Sequence, residues 1–166
     1  QVGGLVVKTT LDKNAQAAAE NAVFAQAPKK APDNLHIGLV SIRPGTGEIV
    51  AMYGGQDYLK RQLNDATQSI TQAGSTFKPF ALVAALEQGI SLARIWNGDS
   101  PKIINDAIGR PYEISNYGDK SFGDLPLLKA TANSVNTIYV PLGMKVGPEK
   151  VVDVARRAGI PETVAM

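Results

Sequence analysis

Ser75 and Lys78 stand three apart in Gln72-Ala73-Gly74-Ser75-Thr76-Phe77-Lys78-Pro79-Phe80, a hydroxyl and an amine that a helical turn places on one face. Pro79 lacks the N–H that an interior turn requires, so it belongs in or beside the first turn of a helix, which must begin within a residue or so of Ser75. The Ser75 hydroxyl then lies at the positive end of the helix dipole, where a developing alkoxide is favoured. Gly74 permits a sharp entry and leaves room for a substrate. A serine hydroxyl is a poor nucleophile until a base takes its proton. Lys78 is the nearest candidate. An ordinary lysine titrates near ~10.4, so to act at neutral pH it must titrate about three pH units lower, a cost of roughly 4 kcal/mol met by burial or a second cation. Phe77 and Phe80 offer burial, and no second cation stands out.

A second constellation is Ser134-Val135-Asn136. Side chains two apart diverge on a helix but point the same way in extended chain. Helical stretches before and after make this triplet a junction, from which both side chains can face one cleft. Ser134 is then placed to pass a proton between Lys78 and a leaving group, and Asn136 to hydrogen-bond a substrate amide. Neither pair identifies a site alone. Eight serines with eleven lysines give about 0.5 Ser-x-x-Lys pairs by chance, and nine asparagines give about 0.4 Ser-x-Asn. The competing reading is a capping serine with a solvated lysine, and an ordinary cap at Asn136. Other candidates are poorer. His36, the single histidine, reads as a satisfied strand residue. No cluster has metal-ligand spacing, so no metal or other cofactor is expected. Gly3-Gly4 and Gly54-Gly55 do not form a phosphate loop, and Trp96 with Leu92 and Ile95 reads as core.

The elements that must hold these residues follow from patterning. Residues 5–9 read as a strand, and Asp12 caps an Ala-rich helix with Ala15, Ala18, Ala19, Ala22 and Val23 as its stripe, closed by Pro28 and Pro32. Residues 35–42 and 48–53 are β-rich runs around a 43–47 turn. The first run is apolar on both faces, as in a sheet covered on both sides. Residues 54–74 are irregular, and 76–88 helical with Gly89 as the stop. Residues 97–123 form a loop-rich stretch with one β-like piece at 102–104, the kind of segment that lines a cleft. Helices are expected over 124–133 and 136–145, where Pro141 suggests a kink, and another opening on Pro148.

Of 166 residues, 44% are hydrophobic and 19% charged, enough for one core. A net charge of +2, with dense basic pairs only at Lys29-Lys30 and Arg156-Arg157, gives no footprint for nucleic acid. There is no cysteine, which removes disulfide and thiolate-metal chemistry. No apolar run approaches the ~20 residues of a membrane helix. The chain opens on Gln1 and ends soon after an amphipathic stretch, so both termini read as cut.

Ser-x-x-Lys followed by Ser-x-Asn is the signature shared by penicillin-binding proteins and class A β-lactamases. Thr9-Thr10-Leu11-Asp12 with Gln16 and Ala19-Glu20 resembles the start of a high-molecular-weight penicillin-binding protein's transpeptidase domain. Residues 74–80, then Ala84-Ala85-Leu86-Glu87-Gln88-Gly89, resemble the bifunctional class A type, as does 127–147 through Ala130, Ser134, Asn136, Leu142 and Val146-Gly147. The resemblance covers nearly the whole chain. It implies an α/β fold of the penicillin-binding protein and serine β-lactamase kind, a central antiparallel sheet flanked by helices, with residues 1–166 as the N-terminal part of one transpeptidase domain. It implies a peptidoglycan D,D-transpeptidase in which Ser75 forms the acyl-enzyme, Lys78 is the base, Ser134 relays the proton and Asn136 contacts substrate. The partners would be stem peptides and β-lactams, at the extracytoplasmic face of a bacterial membrane, reached through an upstream anchor that this chain lacks.

The family's third motif, Lys-Thr/Ser-Gly on a later strand, is absent from the chain. The expectation is therefore a fragment that works with the missing C-terminal half, including when that half is a separate chain. Competing readings are a β-lactamase or penicillin-sensing receptor, which the opening at 9–20 disfavours, and a non-catalytic envelope-binding module.

Overall fold

The computed structural model describes residues 3–30, 32, 34–106 and 108–164. Helices and antiparallel strand pairs divide into two compact units, residues 1–71 and 72–166.

In the first unit Asp12 is extended and its Oδ1 accepts from the Ala15 N–H at 2.8 Å, opening α1 (Lys13–Gln26). This satisfies one of the N–H groups that every helix start leaves free. Ala27 closes it at ψ 138°, the extended state that Pro28 imposes on the residue before it. Ala19 and Val23 are the buried part of the stripe. β1 (Leu39–Ile42) and β2 (Ile49–Tyr53) pair antiparallel, with a register shift between Ser41 and Ile42. Gln16 docks α1 on β2 like a strand neighbour: its Nε2 donates to Met52 O and its Oε1 accepts from Met52 N, both at 2.9 Å.

Three expectations change in this unit. Residues 5–9 take no strand conformation, and Leu5, Val6 and Val7 are exposed. β-Branched composition makes a strand only where a partner edge is available, and the backbone bond from Asp12 N to Val50 O joins β2 only beyond this run. In β1, burial alternates, with Val40 and Ile42 exposed, so the run is half-covered rather than covered on both faces. His36 precedes β1 instead of lying in it; its Nδ1 is 3.9 Å from Asp65 Oδ2. The nearly buried Asp65 carboxylate also takes the Arg61 guanidinium and the Ser69 hydroxyl, the latter at 2.6 Å. These bonds, Arg61's first, hold Asp65 down at about 2.

The second unit is helical at its centre. α2 (Lys78–Glu87) buries Ala81, Ala84 and Ala85, small side chains that let α4 (Asn136–Val146) and α5 (Pro148–Arg157) approach closely. Ile138, Leu142, Val146, Val151 and Val154 fill the space between. Gly89, at φ +77°, ends α2 in the left-handed conformation expected of it.

Residues 97–123 are more ordered than their composition suggests. β3 (Ile95–Asn97) pairs with β6 (Asp124–Pro126), and β4 (Lys102–Asn105) pairs with β5 (Pro111–Ile114). The helix expected over 124–133 is therefore shorter, α3 (Leu127–Ala132), because its first residues belong to β6. Trp96 packs against the core as expected, with the Arg94 guanidinium 5.5 Å above its ring, whereas its neighbour Ile95 is exposed. α4 continues through Pro141. Proline cannot bond the carbonyl four residues back, which here is that of Thr137. The Lys102 ammonium takes that carbonyl at 3.3 Å and Asn97 O at 2.6 Å, so the cost of Pro141 becomes an anchor between β4 and α4.

Candidate active site

Gly74, at φ +53°, turns the chain into a 3₁₀ turn over Gly74–Phe77 that runs straight into α2, with Pro79 in its first turn. A 3₁₀ turn eclipses side chains three apart, so Ser75 and Lys78 share a face. Ser75 is exposed and Lys78 half-buried. Phe77 and Phe80 stack edge-to-face, 4.9 Å between centroids, and pack on the core beside Lys78.

The α3–α4 junction is built by a helix-ending motif. Ser134 N donates to Thr131 O and Val135 N to Ala130 O, both at 3.0 Å. This is the Schellman pairing, and it requires a left-handed residue at Ser134's position, usually glycine. Ser134 stands there at φ +52°, at a cost of about 1–2 kcal/mol for a residue with a Cβ. The strain holds the serine's carbonyl and hydroxyl on the same cation. Lys78 Nζ donates to Ser134 O at 2.6 Å, to Ser134 Oγ at 2.9 Å and to Asn136 Oδ1 at 2.6 Å. All three ammonium hydrogens are used, and each partner is uncharged. The Tyr139 ring lies 5.4 Å from the same nitrogen. Burial pushes Lys78 below the ordinary lysine value. Desolvation penalises the charged form, and among the described residues no carboxylate pairs with it.

The structure thus gathers Lys78, Ser134 and Asn136 into one cluster, with Ser75 one 3₁₀ turn before the lysine. Asn136 is more committed than its spacing suggests: its Nδ2 donates to Ser115 O at 2.9 Å while its Oδ1 faces Lys78. The motifs give no sign of Asn116, a buried residue whose four side-chain bonds tie this region together. Its Nδ2 donates to Gly98 O at 3.2 Å and Lys120 O at 2.8 Å, and its Oδ1 accepts from Thr137 N at 3.1 Å and Thr137 Oγ1 at 3.3 Å. The only sequence signal was an asparagine in a Ser-Asn-Tyr-Gly-Asp run, which reads as an ordinary turn. Among the described residues no three His, Asp or Glu side chains gather to hold a metal ion, and no helix is long and apolar enough to cross a membrane.

A helical Ser-x-x-Lys facing a Ser-x-Asn junction defines a class, the serine penicillin-recognising fold, and the comparisons give the family. The penicillin-binding protein transpeptidase domain matches residues 37–165, and the chain belongs to that family. It is 42% identical over 95% of its length to penicillin-binding protein 1A of Mycobacterium tuberculosis, and 32% identical over 96% to penicillin-binding protein 2D of Bacillus subtilis. It spans 18% and 23% of those relatives. The structure of PonA1 from M. tuberculosis in complex with penicillin V superposes with a TM-score of 0.82 at 37% identity, over 98% of this chain and 41% of that one. The class A resemblance and the transpeptidase fold both stand on these matches.

Proposed function

We propose that this chain carries the nucleophile and base of a peptidoglycan D,D-transpeptidase, and is the N-terminal part of one transpeptidase domain. The observation that carries the reading is the set of three bonds from Lys78 Nζ to Ser134 and Asn136, which brings the two motifs to one nitrogen. Ser134 O and Asn136 Oδ1 can only accept. When Lys78 is neutral, those two acceptors take its two hydrogens, and its lone pair is left for a hydroxyl. Ser75 Oγ attacks the penultimate D-alanyl carbonyl of a stem peptide, and its proton passes to Lys78. The C–N bond to the terminal D-alanine breaks as Ser134 hands that proton to the departing amine. An amine of a second stem peptide then attacks the acyl-enzyme, gives up its proton through the same pair, and releases Ser75. A β-lactam enters by the first step alone, and Asn136 orients the substrate amide.

The Lys-Thr/Ser-Gly strand and its oxyanion-hole donor would come from the remainder of the domain; loss of one such donor costs about 10²–10³ in rate. The setting is the extracytoplasmic face of a bacterial membrane. Intact-mass measurement after mixing with a penicillin tests this, on the chain alone, with the remainder of the domain supplied, and with Ser75→Ala. An adduct that requires Ser75 and appears with the remainder present supports the reading. An adduct on the chain alone keeps the chemistry and removes the dependence on the remainder. If neither sample forms one, the chain is a non-catalytic module.

A further inference from the structure

The Asn136 amide has two ends of nearly the same shape, and its neighbours decide which faces Lys78. While Lys78 is charged, the ammonium itself attracts Oδ1. Once the lysine is neutral, its lone pair could equally accept from Nδ2, and the amide would be free to turn over. Such a flip would occupy the lone pair that the mechanism needs. The carbonyl of Ser115, 2.9 Å from Nδ2, forbids it, because a carbonyl opposed to Oδ1 would be two acceptors face to face. That carbonyl belongs to the peptide linking Ser115 to Asn116, whose N–H donates to Ser100 Oγ at 3.0 Å. The Asn116 side chain then spends both donors and both lone pairs on Gly98, Lys120 and Thr137. Thr137 directly follows Asn136, so Asn116 fixes both the carbonyl and the first turn of α4 that carries the amide. A buried asparagine with full hydrogen-bond satisfaction is a rigid joint.

We propose that Asn116 is a positioning residue that holds the Asn136 amide oxygen toward Lys78 in both protonation states, so that the neutral lysine keeps its lone pair for the serine hydroxyls. This rests on the reading of Lys78 as the base. The groups that face Lys78 are Ser134 from the α3–α4 junction and Asn136 and the Tyr139 ring from α4. None is charged at neutral pH, so a change in the lysine's titration reports on hydrogen bonding and solvation around it.

The test is Asn116→Ser, with Thr137→Val as a milder variant that removes a single bond of the joint, on the full chain with the remainder of the domain supplied. Lys78 is followed across pH by NMR of ¹³Cε-labelled lysine, and acylation by a penicillin is timed in parallel. With the lock released, Nδ2 can donate to the neutral amine. The lysine then titrates at lower pH while acylation slows about 10- to 100-fold at every pH, as expected for a misplaced catalytic group. General loosening does the opposite, hydrating Lys78 and raising its midpoint; a raised or unchanged midpoint in both variants overturns the proposal. In an Asn136→Ala background the effect of Asn116→Ser on the midpoint must disappear, and its persistence also overturns it. If the unsubstituted protein never acylates even with the remainder present, the transpeptidase reading fails, but the titration still decides whether the lock exists.

Discussion

The cations of the first unit and the central cation of the second are held in opposite ways. In residues 1–71, Arg61 meets Asp65, Lys60 lies 3.4 Å from Asp57, and Arg43 lies 2.9 Å from Glu48. In residues 72–166, Lys78 is bound by a carbonyl, a hydroxyl and an amide oxygen. A carboxylate partner would stabilise the ammonium and lock the proton on; dipoles alone fix the nitrogen in place while burial makes its charge costly. The paired cations are therefore kept charged, whereas burial pushes Lys78 below the ordinary lysine value, which suits the role proposed for it.

Replacing Lys78 is the most direct way to break this contrast. Lys78→Arg keeps a positive charge and donors but cannot be deprotonated. If charge is what matters, the arginine variant acylates; if the lone pair matters, the rate falls about 10²–10⁴-fold, as for loss of a general base. We expect the second, read as penicillin adduct formed against time. Ser134→Gly sharpens the same point from the other side. Glycine relieves the φ +52° strain and should raise stability by about 1 kcal/mol, seen as a higher denaturant midpoint, while loss of the relay hydroxyl slows acylation about 100-fold. A variant that is both more stable and less active shows that the strain serves the chemistry; one that is no more stable shows the turn is not strained at all.

Much of this arrangement was legible in the sequence. Asp12 as a cap, Pro28 and Gly89 as stops and Pro148 as a helix start are local rules, and the structure obeys them. The two spacings marked helix ends and the resemblance joined them into one site; the structure brings Lys78, Ser134 and Asn136 together. Less legible were features set by distant partners. β3 and β6 have three residues each, too few to display a period of two, and their pairing is visible only across the intervening hairpin. Residues 5–7 show the converse, with β-prone composition and no strand. Ser134 occupies a position where sequence rules expect glycine, and Asn116 owes its importance to four partners that no local pattern announces. Pro141, where a kink was expected, stays within α4, and the carbonyl it leaves unpaired is taken by Lys102 from β4.

The pH dependence of acylation tests the energetic side of the contrast. In the proposed mechanism the neutral lysine is the base, so the acylation rate should rise with pH and level off once Lys78 has lost its proton. Because burial lowers its folded value, the plateau should begin below the ordinary lysine titration near ~10.4. The same shift has a stability sign. Between the lowered value and the ordinary one the unfolded chain holds more protons, so stability rises with pH across that window. A rate that keeps climbing through the ordinary lysine value would mean that burial does not depress Lys78.

The smallest expected effect lies in the first unit and should leave the chemistry of the second untouched. Asp65 is held at about 2 by Arg61 and Ser69, so its carboxylate stabilises the fold at neutral pH. A depressed acid contributes stability above its unfolded value, about 3.9, and loses it as pH falls toward 2. Asp65→Asn should lower the melting temperature at pH 7 and flatten its fall between pH 4 and 2 relative to the unsubstituted chain. The rate of Ser75 acylation per folded molecule should not change, since Asp65 makes its bonds within residues 1–71. A slower rate at equal folded fraction would show that the paired charges of the first unit reach the lysine after all, and the division between structural and chemical cations would have to be redrawn.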